Sequence, residues 1–313
     1  RLIMKNFIRS NFPFIYSQAS KYKGSFDRKI RLSSNKDIYK NILSDEQGNN
    51  LIANLIKDGD PAMITRFGSI EAACVQGFIT KTYRKYTVEA MSNNAGFFPA
   101  DEELLVRFSQ LFLDSSKSID VLGVWFVRGE PEIIKNTCTK ASLVKLRTLE
   151  PYYHKDPWSK YLEGKRVLVI HPFAETISSQ YENHRKLIFA NPHTLPDFKL
   201  TTLKAVQSVA GNKTQFASWF DAYDWMCDKV KDQEFDVAII GCGAYGLPLA
   251  AYIKSIGKQS IHLGGATQIL FGIKGKRWDE MQFFQSLYNE HWVRPNQEET
   301  VQNYTKVESG CYW

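Results

Sequence analysis

The sequence predicts an α/β protein with a mainly parallel, Rossmann-like sheet that carries helices on both faces. Short apolar runs rich in β-branched residues alternate with helical segments along most of the 313 residues, which is typical of parallel sheets. Two of these runs lead directly into a glycine-containing turn and a further helical segment. A chain of this length suits one large α/β domain or two lobes.

The first half of the chain contains several segments with a clear pattern. Residues 38–58 predict a helix, residues 62–66 a strand, and a tight turn at Gly68 leads into another helix. Residues 101–113 predict an amphipathic helix, because acids fill its first turn, where the helix dipole favours them, and its apolar residues recur at helical spacing. Residues 119–124 predict the next strand.

The second half alternates strands and helices more regularly. The helix over residues 214–230 has the clearest apolar face, and Thr214 is its expected N-cap. A basic loop follows the last strand, and the final 20 or so residues look irregular. The predicted elements are, in order, a strand over residues 166–170, a helix near 175–189, a strand at 200–206, the helix at 214–230, a strand at 236–240, a helix at 247–257 and a strand at 260–263.

The amino-terminal part differs in composition from the rest of the chain. We expect a basic arm and first helical region over residues 1–45, followed by a single α/β domain over residues 46–313, with lobes at 46–160 and 161–313 as the alternative division. Residues 1–31 hold eight Lys/Arg and one acid, with aromatic residues interleaved. This segment is either a plain surface arm or a peripheral contact with an anionic membrane, where each basic residue contributes about 1 kcal/mol.

Charge and cysteine content narrow the class of protein. The formal net charge of +7 favours an anionic ligand, polymer or membrane surface, but it is low for a dedicated nucleic-acid binder, so we expect no nucleic-acid partner. The cysteines form no C-x-x-C, which favours reduced thiols and a cytoplasmic protein. A peripheral position at the inner face of the membrane is the alternative. The five cysteines are Cys74, Cys138, Cys227, Cys242 and Cys311.

The segment from Gly241 to Gly246, GCGAYG, fits the pattern G-x-G-x-x-G between a predicted strand and a predicted helix. A helix N-terminus offers free N–H groups and a partial positive charge, so Gly241, Gly243 and Gly246 predict a phosphate site. The alternative is a tight turn that needs glycine only for packing. A dinucleotide site would place an acid about 20 residues further on. That region has no acid, only His262 and the pair Gly264-Gly265, which disfavours NAD or FAD.

Several polar residues elsewhere are candidate ligand contacts. Lys274 and Arg277 could neutralise a diphosphate leaving group, and a solvated basic turn is the alternative. Further candidates for contacts with the substrate are His171, Glu175, Asn93 in a predicted loop, His262 and Trp278.

The segment TRFGSIEA places Arg66, Ser69 and Glu71 just after a predicted strand. Side chains at the carboxyl ends of parallel strands point into the crevice where α/β sheets bind ligands. Glu71 could therefore act as a general base. A structural ion pair between Arg66 and Glu71 is the alternative.

The segment from Arg66 to Glu71, RFGSIE, resembles the R-F-G-D-G-E motif of the GT-D type of glycosyltransferase. The block HLGGATQILFGIKGKRWD and the ending VESGCYW look like signatures of related proteins encoded with bacterial surface-polysaccharide genes. The resemblance covers mainly residues 60–80 and 165–313. It implies a Rossmann-like fold, with Arg66, Gly68 and Glu71 at matching positions.

The motif departs from the family pattern at two positions. Ser69 stands where the family has aspartate, and Ile70 replaces a glycine. In that family the aspartate and the glutamate form an element implicated in metal binding and catalysis. Serine is a poor ligand for a hard divalent ion, so dependence on Mn²⁺ or Mg²⁺ stays open.

The resemblance implies a glycosyltransferase that uses a nucleotide-diphosphate sugar, and a UDP-sugar is the expected donor. The acceptor would be a polysaccharide or lipid-linked glycan of the cell surface, such as a capsule, and the outcome would be inverting by family analogy. Gly68, Ser69, the glycine loop and the pair Gly264-Gly265 would bind the diphosphate, and Glu71 and Arg66 would carry the chemistry. The alternatives are a nucleotide-dependent oxidoreductase or methyltransferase, or a non-catalytic subunit that binds nucleotide or glycan.

Overall fold

The computed structural model describes residues 13–313, with side chains described from residue 23 onward. A single seven-stranded, all-parallel sheet forms the centre of the fold. The predicted fold class is confirmed. The strands are β1 (Ala62–Arg66), β2 (Val121–Val124), β3 (Ser142–Lys145), β4 (Arg166–His171), β5 (Lys199–Lys204), β6 (Val237–Ile240) and β7 (Gln259–His262).

Helices follow most of the strands and cover the sheet. Short 3-10 turns fill several connections, including Gly243–Tyr245 after β6 and Tyr304–Lys306 near the end of the chain. The helices are α1 (Pro13–Ser34), α2 (Lys36–Tyr39), α3 (Asp45–Asp58), α4 (Ser69–Ile79), α5 (Lys85–Asn93), α6 (Glu102–Ser116), α7 (Glu130–Thr137), α8 (Ala174–Ile188), α9 (Trp219–Lys231), α10 (Gly246–Ser255), α11 (Ala266–Leu270), α12 (Lys276–Asp279) and α13 (Gln282–Leu287).

The strand order is β3-β2-β1-β7-β6-β4-β5. The chain first builds outward from β1 to β3, then starts again with β4 and β5 on the other side, and finally fills the centre with β6 and β7. The carboxyl ends of β1, β7, β6 and β4 are therefore neighbours. A change of direction in the strand order opens a crevice at the carboxyl edge of a parallel sheet, where ligands bind.

The core is divided by the sheet into two layers, because neighbouring residues of a strand point to opposite faces. In β1, Met63 packs into one buried cluster and Ile64 into the other. In β4, Leu168 and Val169 are divided in the same way. The central strands β1, β2, β6 and β7 are buried almost throughout, which explains why they read as continuous apolar runs.

The start of α9 differs from the prediction. Ser218 is the N-cap, since its hydroxyl accepts a hydrogen bond from the Asp221 N–H and the Asp221 carboxylate accepts one from the Ser218 N–H. Thr214 lies before the helix, where its hydroxyl accepts a hydrogen bond from the Phe216 N–H at 3.3 Å. The predicted cap at Thr214 is wrong because Ser218 offers a reciprocal capping box one turn later.

Several other elements differ from the prediction. The short elements β3 and α7 were not predicted, and β5 ends at Lys204 rather than at residue 206. Asn93, expected in a loop, is the last residue of α5. The division into an arm and a domain at residue 45 stays a prediction, as does the proposed pair of lobes. None of the described helices is both long and apolar enough to cross a membrane.

Candidate functional site

A cleft of about 460 Å³ lies at the carboxyl edge of the sheet. It opens where β1, β7, β6 and β4 end, and the carboxyl-terminal segment of the chain forms part of its wall. The turn after β1 and the glycine loop after β6, which are far apart in the sequence, therefore meet in one place. Predicted site residues that line the cleft are Arg66, Gly68, Ser69, Glu71, His171, Gly241, Gly243, His262, Gly264, Gly265 and Arg277.

Glu71 occupies the third position of α4, and its carboxylate folds back over the helix start. A Cβ atom at Gly68 would overlap both the Oε2 and the Cδ of Glu71, so only glycine leaves room for the carboxylate. Gly68 is the N-cap residue of α4 and has an ordinary φ of −70°. The glycine is thus needed for the close approach of Glu71 and not for an unusual backbone conformation.

Burial raises the pKa of Glu71. The backbone N–H groups of Glu71 and Ile70 and the positive charge of Arg66 act in the opposite direction, but burial outweighs them. A buried carboxylate with a raised pKa is a stronger base than an exposed one, and this is how enzymes adjust a glutamate for general-base catalysis.

Arg66 extends from the end of β1 into the cleft without a direct ion pair. It takes part in none of the ion pairs found among the described residues, so the alternative of a direct structural pair with Glu71 does not hold. Its guanidinium carbon lies 4.7 Å from the ring centre of Trp125. Its Nε is buried and has no hydrogen-bond partner in the described chain. Burial lowers the pKa of Arg66, and Glu71 partly offsets this effect.

Trp125 connects two arginines of the cleft. Its Nε1 donates to the Phe67 carbonyl at 3.0 Å, which fixes the ring beside the turn after β1. Arg28 of α1 lies against the same ring, with its guanidinium carbon 5.1 Å from the ring centre, and it also lines the cleft. Contacts of this kind contribute about 0.5–1 kcal/mol at exposed sites and more when desolvated.

Arg277, the second residue of α12, also lines the cleft. It forms an ion pair with Glu308, and its guanidinium carbon lies 4.7 Å from the ring centre of Tyr312. Burial disfavours its charge, but Tyr312, Glu308 and Cys311 outweigh burial and raise the pKa of Arg277. The charged lining of the cleft is Arg28, Arg66, Arg277, Glu71 and Glu308, so cations outnumber acids.

The glycine loop offers fewer free donors than its sequence pattern predicts. The Gly241 N–H donates to the Ile170 carbonyl at 2.9 Å, and the Ala244 N–H donates to the Ala95 carbonyl at 3.4 Å. Among the backbone hydrogen bonds of the described chain, the N–H groups of Cys242 and Gly243 have no carbonyl partner. These two amides are therefore the ones that a ligand could contact, and Gly243 presents its amide with a φ of +58°.

Packing explains the other two glycines of the motif. A Cβ atom at Gly241 would lie 2.6 Å from the Thr267 Oγ1 and 2.7 Å from the His171 Cδ2. A Cβ atom at Gly246 would overlap the His262 ring, and Gly246 is not part of the cleft wall. The structure therefore supports the second interpretation of Gly246, a glycine that is needed only for packing.

Both histidines of the cleft are uncharged. Burial lowers the pKa of His171 and of His262 to about 3. The His171 Nδ1 accepts a hydrogen bond from the Phe173 N–H at 2.9 Å, so its proton resides on Nε2, which can donate to a ligand. The His262 Nδ1 lies 3.0 Å from the Thr65 hydroxyl. Neither ring supplies positive charge to the cleft.

Four further candidates lie outside the cleft. The exposed Glu175 carboxylate pairs with the Lys204 Nζ at 3.0 Å. The Lys274 Nζ lies 5.2 Å from the ring centre of Tyr288. Trp278 is buried in the core. Asn93 ends α5, and its neighbour Asn94 lines the cleft instead.

Sequence reasoning missed several residues of the cleft wall. Trp125 follows β2 directly, so its position after a strand was a usable signal. The ending VESGCYW carries no periodic pattern from which its position could be predicted. It contributes four residues to the cleft wall, namely Val307, Glu308, Tyr312 and Trp313. No local signal identifies Arg28. Other missed residues are Ala95, Gly96, Phe173, Cys242, Tyr245, Gln268 and the segment Val206 to Val209.

The side chains present do not fit a metal held by the protein. Ser69 occupies the position of the family's aspartate, and Glu308 is engaged with Arg277. The described residues contain no group of three or more His, Cys, Asp or Glu side chains that could hold a metal ion. The arginines and the carboxylate of Glu71 are therefore the groups of the cleft that can take part in chemistry.

Comparisons with known proteins complete the description of the site. No family model and no curated protein matches the chain. A solved structure described as "The highly conserved domain of unknown function 1792 has a distinct glycosyltransferase fold" is 15% identical, with a TM-score of 0.47, and the match covers 86% of this chain and 96% of that one. A selenomethionine-substituted structure of the same domain is 15% identical, with a TM-score of 0.45, and the match covers 82% and 92%.

Proposed function

We propose that the chain is a glycosyltransferase whose cleft binds a nucleotide-diphosphate sugar. The observation that supports this most strongly is the shared cleft of Glu71 and the glycine loop. One wall carries a buried carboxylate of raised pKa. The same cleft is lined by arginines and by unpaired backbone amides, which suit an anionic leaving group.

The diphosphate is held by Arg277, Arg66 and the amides of Cys242 and Gly243. As the bond between the anomeric carbon and the diphosphate oxygen breaks, its electron pair moves to that oxygen and negative charge develops on the diphosphate. Donors that are already fixed in position stabilise this charge and lower the barrier. Arg66 is suited to this role because it lines the cleft and takes part in no ion pair among the described residues.

Glu71 takes the proton of the acceptor hydroxyl while the acceptor oxygen forms the new bond to the anomeric carbon. The transfer is therefore a single displacement with inversion at that carbon. General-base catalysis of this kind contributes about 10²–10⁴-fold to a rate. The His171 Nε2–H can donate to a sugar hydroxyl or a phosphate oxygen.

The nucleotide and the acceptor are assigned from the resemblance of the sequence. We propose a UDP-sugar as donor, and a polysaccharide or lipid-linked glycan as acceptor, in the synthesis of a cell-surface polysaccharide on the cytoplasmic side of the membrane. Aromatic side chains of the cleft, such as Trp125 and Trp313, can stack on a base or a sugar.

A dinucleotide-dependent enzyme is less well supported. Such enzymes place a carboxylate at the end of a strand next to the glycine loop, where it binds the ribose hydroxyls. Here β7 lies beside β6 and ends at His262, which is buried and uncharged. If a nucleotide sugar binds but is not turned over, the chain is a non-catalytic binding subunit.

A screen of nucleotide sugars for binding and slow donor hydrolysis tests the proposal. We expect UDP-sugars to raise the unfolding temperature and to be hydrolysed, and the Glu71→Gln variant to bind the donor with hydrolysis lowered about 100-fold or more. The matched control is Glu103→Gln, an exposed carboxylate of α6. Stabilisation by NAD or S-adenosylmethionine alone would refute the assignment, and donor binding with no turnover in either protein would indicate a binding subunit.

A further inference from the structure

Helix α1 has two unlike faces, and one of them is attached to the body of the protein. The Arg31 Nε donates to the Phe126 carbonyl at 2.6 Å, and Arg28 lies against Trp125 at the mouth of the cleft. Because these arginines are three residues apart, they project from the same side of the helix. These two contacts attach the C-terminal half of the helix to the body of the protein by this side.

The opposite side of α1 exposes an apolar pair flanked by lysines. Phe26 is 64% exposed and Ile30 is 46% exposed. At about 100° per residue, Ile30 lies roughly 40° from Phe26, and Lys23 and Lys29 lie roughly 60° from it on either side. Both lysines are exposed. This arrangement is typical of helices that lie in the interface of a membrane.

We propose that the face of α1 formed by Lys23, Phe26, Lys29 and Ile30 docks on an anionic lipid bilayer. Phe26 and Ile30 enter the headgroup region, and the two lysines contact anionic headgroups. The helix is also basic over its whole length, since Pro13–Ser34 holds five Lys/Arg and a single acid, which favours attraction to an anionic surface.

A bilayer suits this face better than a second copy of the chain. Stable protein interfaces bury about 800 Å² on each partner, whereas this face offers two apolar side chains between lysines. A symmetric dimer through the same surface would also bring like charges together. An anionic bilayer has no such minimum area and is complementary in charge.

The docked orientation has a consequence for the proposed function and rests on it. Arg28, on the attached side of α1, lines the cleft. A helix lying on the membrane would therefore place the mouth of the cleft beside the bilayer surface, where a lipid-linked acceptor presents its sugar. The docking itself can be tested without donor or acceptor, so its failure and the failure of the glycosyltransferase assignment are distinguishable.

Co-sedimentation with vesicles tests the docking, using the full chain. The vesicles are phosphatidylcholine alone and phosphatidylcholine mixed with phosphatidylglycerol. One variant combines Phe26→Ser with Ile30→Ser, and a second combines Lys23→Gln with Lys29→Gln. The matched control removes an exposed aromatic and an exposed aliphatic side chain from other helices, Tyr86 at 76% and Leu187 at 49% exposure, by the same change to serine.

We expect the unaltered chain to bind the mixed vesicles more tightly than phosphatidylcholine alone. The lysine variant should lose about fivefold in partition coefficient for each lysine removed, and the apolar variant should lose about tenfold or more. The control should bind like the unaltered chain. Unfolding temperatures establish that each variant is folded. If the variant of Phe26 and Ile30 does not fold, the variant of Lys23 and Lys29 alone tests the docking.

Three results would overturn the proposal. One is equal binding, or none, of the unaltered chain to both kinds of vesicle. Another is unchanged binding by both α1 variants, which would assign any membrane contact to another part of the chain. The third is a concentration-dependent dimer in sedimentation velocity that the Phe26/Ile30 change abolishes without any effect on vesicles, because it would assign this face to a second copy.

Discussion

The Glu71 carboxylate lies in the space that a Cβ atom on Gly68 would fill. The two residues belong to the same turn, so the position of the carboxylate depends on the absence of a side chain three residues earlier. This relationship makes Gly68 a positioning residue for Glu71.

Gly68→Ala should therefore lower turnover without unfolding the protein. The backbone φ of −70° suits alanine, but the new methyl group forces the Glu71 carboxylate out of its place. We expect donor turnover to fall about 100-fold or more, as for loss of a general base, with little change in the unfolding temperature. Gly24→Ala is the control, since a Cβ atom there meets nothing within 4 Å. Wild-type turnover by Gly68→Ala would mean that this position of Glu71 is not needed.

Arg277 should be required for binding of the free nucleotide diphosphate. Arg277→Gln removes a partly exposed cation from the cleft, and hydrogen bonds to charged groups contribute about 1.5–3 kcal/mol. We expect the affinity for UDP, measured by calorimetry, to fall about tenfold or more. The control is Arg294→Gln, because Arg294, like Arg277, pairs with a carboxylate, that of Asp279 at 2.7 Å, but does not line the cleft. Equal losses in both variants would argue against a diphosphate site at Arg277.

The parts of the site that the sequence predicts well have local signals. The turn after β1 and the loop after β6 each consist of a buried apolar run, a glycine and a helix start, all within a few residues. Parallel strand ends share one edge of a sheet, so two such turns are expected to meet. For this reason Glu71 and Gly243 could be assigned to one cleft from the sequence.

The remaining residues reach the cleft through contacts between distant parts of the chain. The Gln268 side-chain amide donates to the Tyr312 carbonyl at 3.0 Å, and the Lys276 N–H donates to the Trp313 carbonyl at 3.1 Å. These bonds fold the ending of the chain onto the cleft, although its own residues carry no periodic pattern. Arg28 likewise depends on the packing of α1 against Trp125. Such placement is decided by tertiary contacts rather than by local propensity.

Glu130 should make the stability of the protein depend on pH. Burial raises the pKa of Glu130 from 4.5 to about 7, against the hydrogen bonds that it accepts from Trp125, Tyr39 and Phe126. The folded state thus binds more protons than the unfolded state between these values, so this contribution to stability is present below about pH 4.5 and is lost as the pH rises to about 7. The full change is on the order of 3 kcal/mol.

Urea unfolding of Glu130→Gln across this pH range measures the effect. The variant should lose the part of the pH dependence that Glu130 contributes, since glutamine does not titrate. Glu163→Gln, an exposed glutamate, is the control and should follow the unaltered protein. A Glu130→Gln profile parallel to that of the unaltered protein would show that Glu130 is ionised at neutral pH in the folded state.

The N-cap of α9 is Thr214 in the sequence-based prediction and Ser218 in the structure, and mutation of each residue tests which assignment is right. Ser218→Ala removes the hydroxyl that accepts the Asp221 N–H and half of a reciprocal capping box, so we expect a loss of about 1 kcal/mol in the free energy of unfolding. Thr214→Ala removes a hydroxyl whose hydrogen bonds among the described residues are to the backbone of Phe216, two residues later, and we expect a change within about 0.5 kcal/mol. Urea denaturation of the two variants compares them directly. A larger loss of unfolding free energy from Thr214→Ala than from Ser218→Ala would contradict the observed cap. It would indicate that the helix begins at residue 214, as the apolar periodicity predicts.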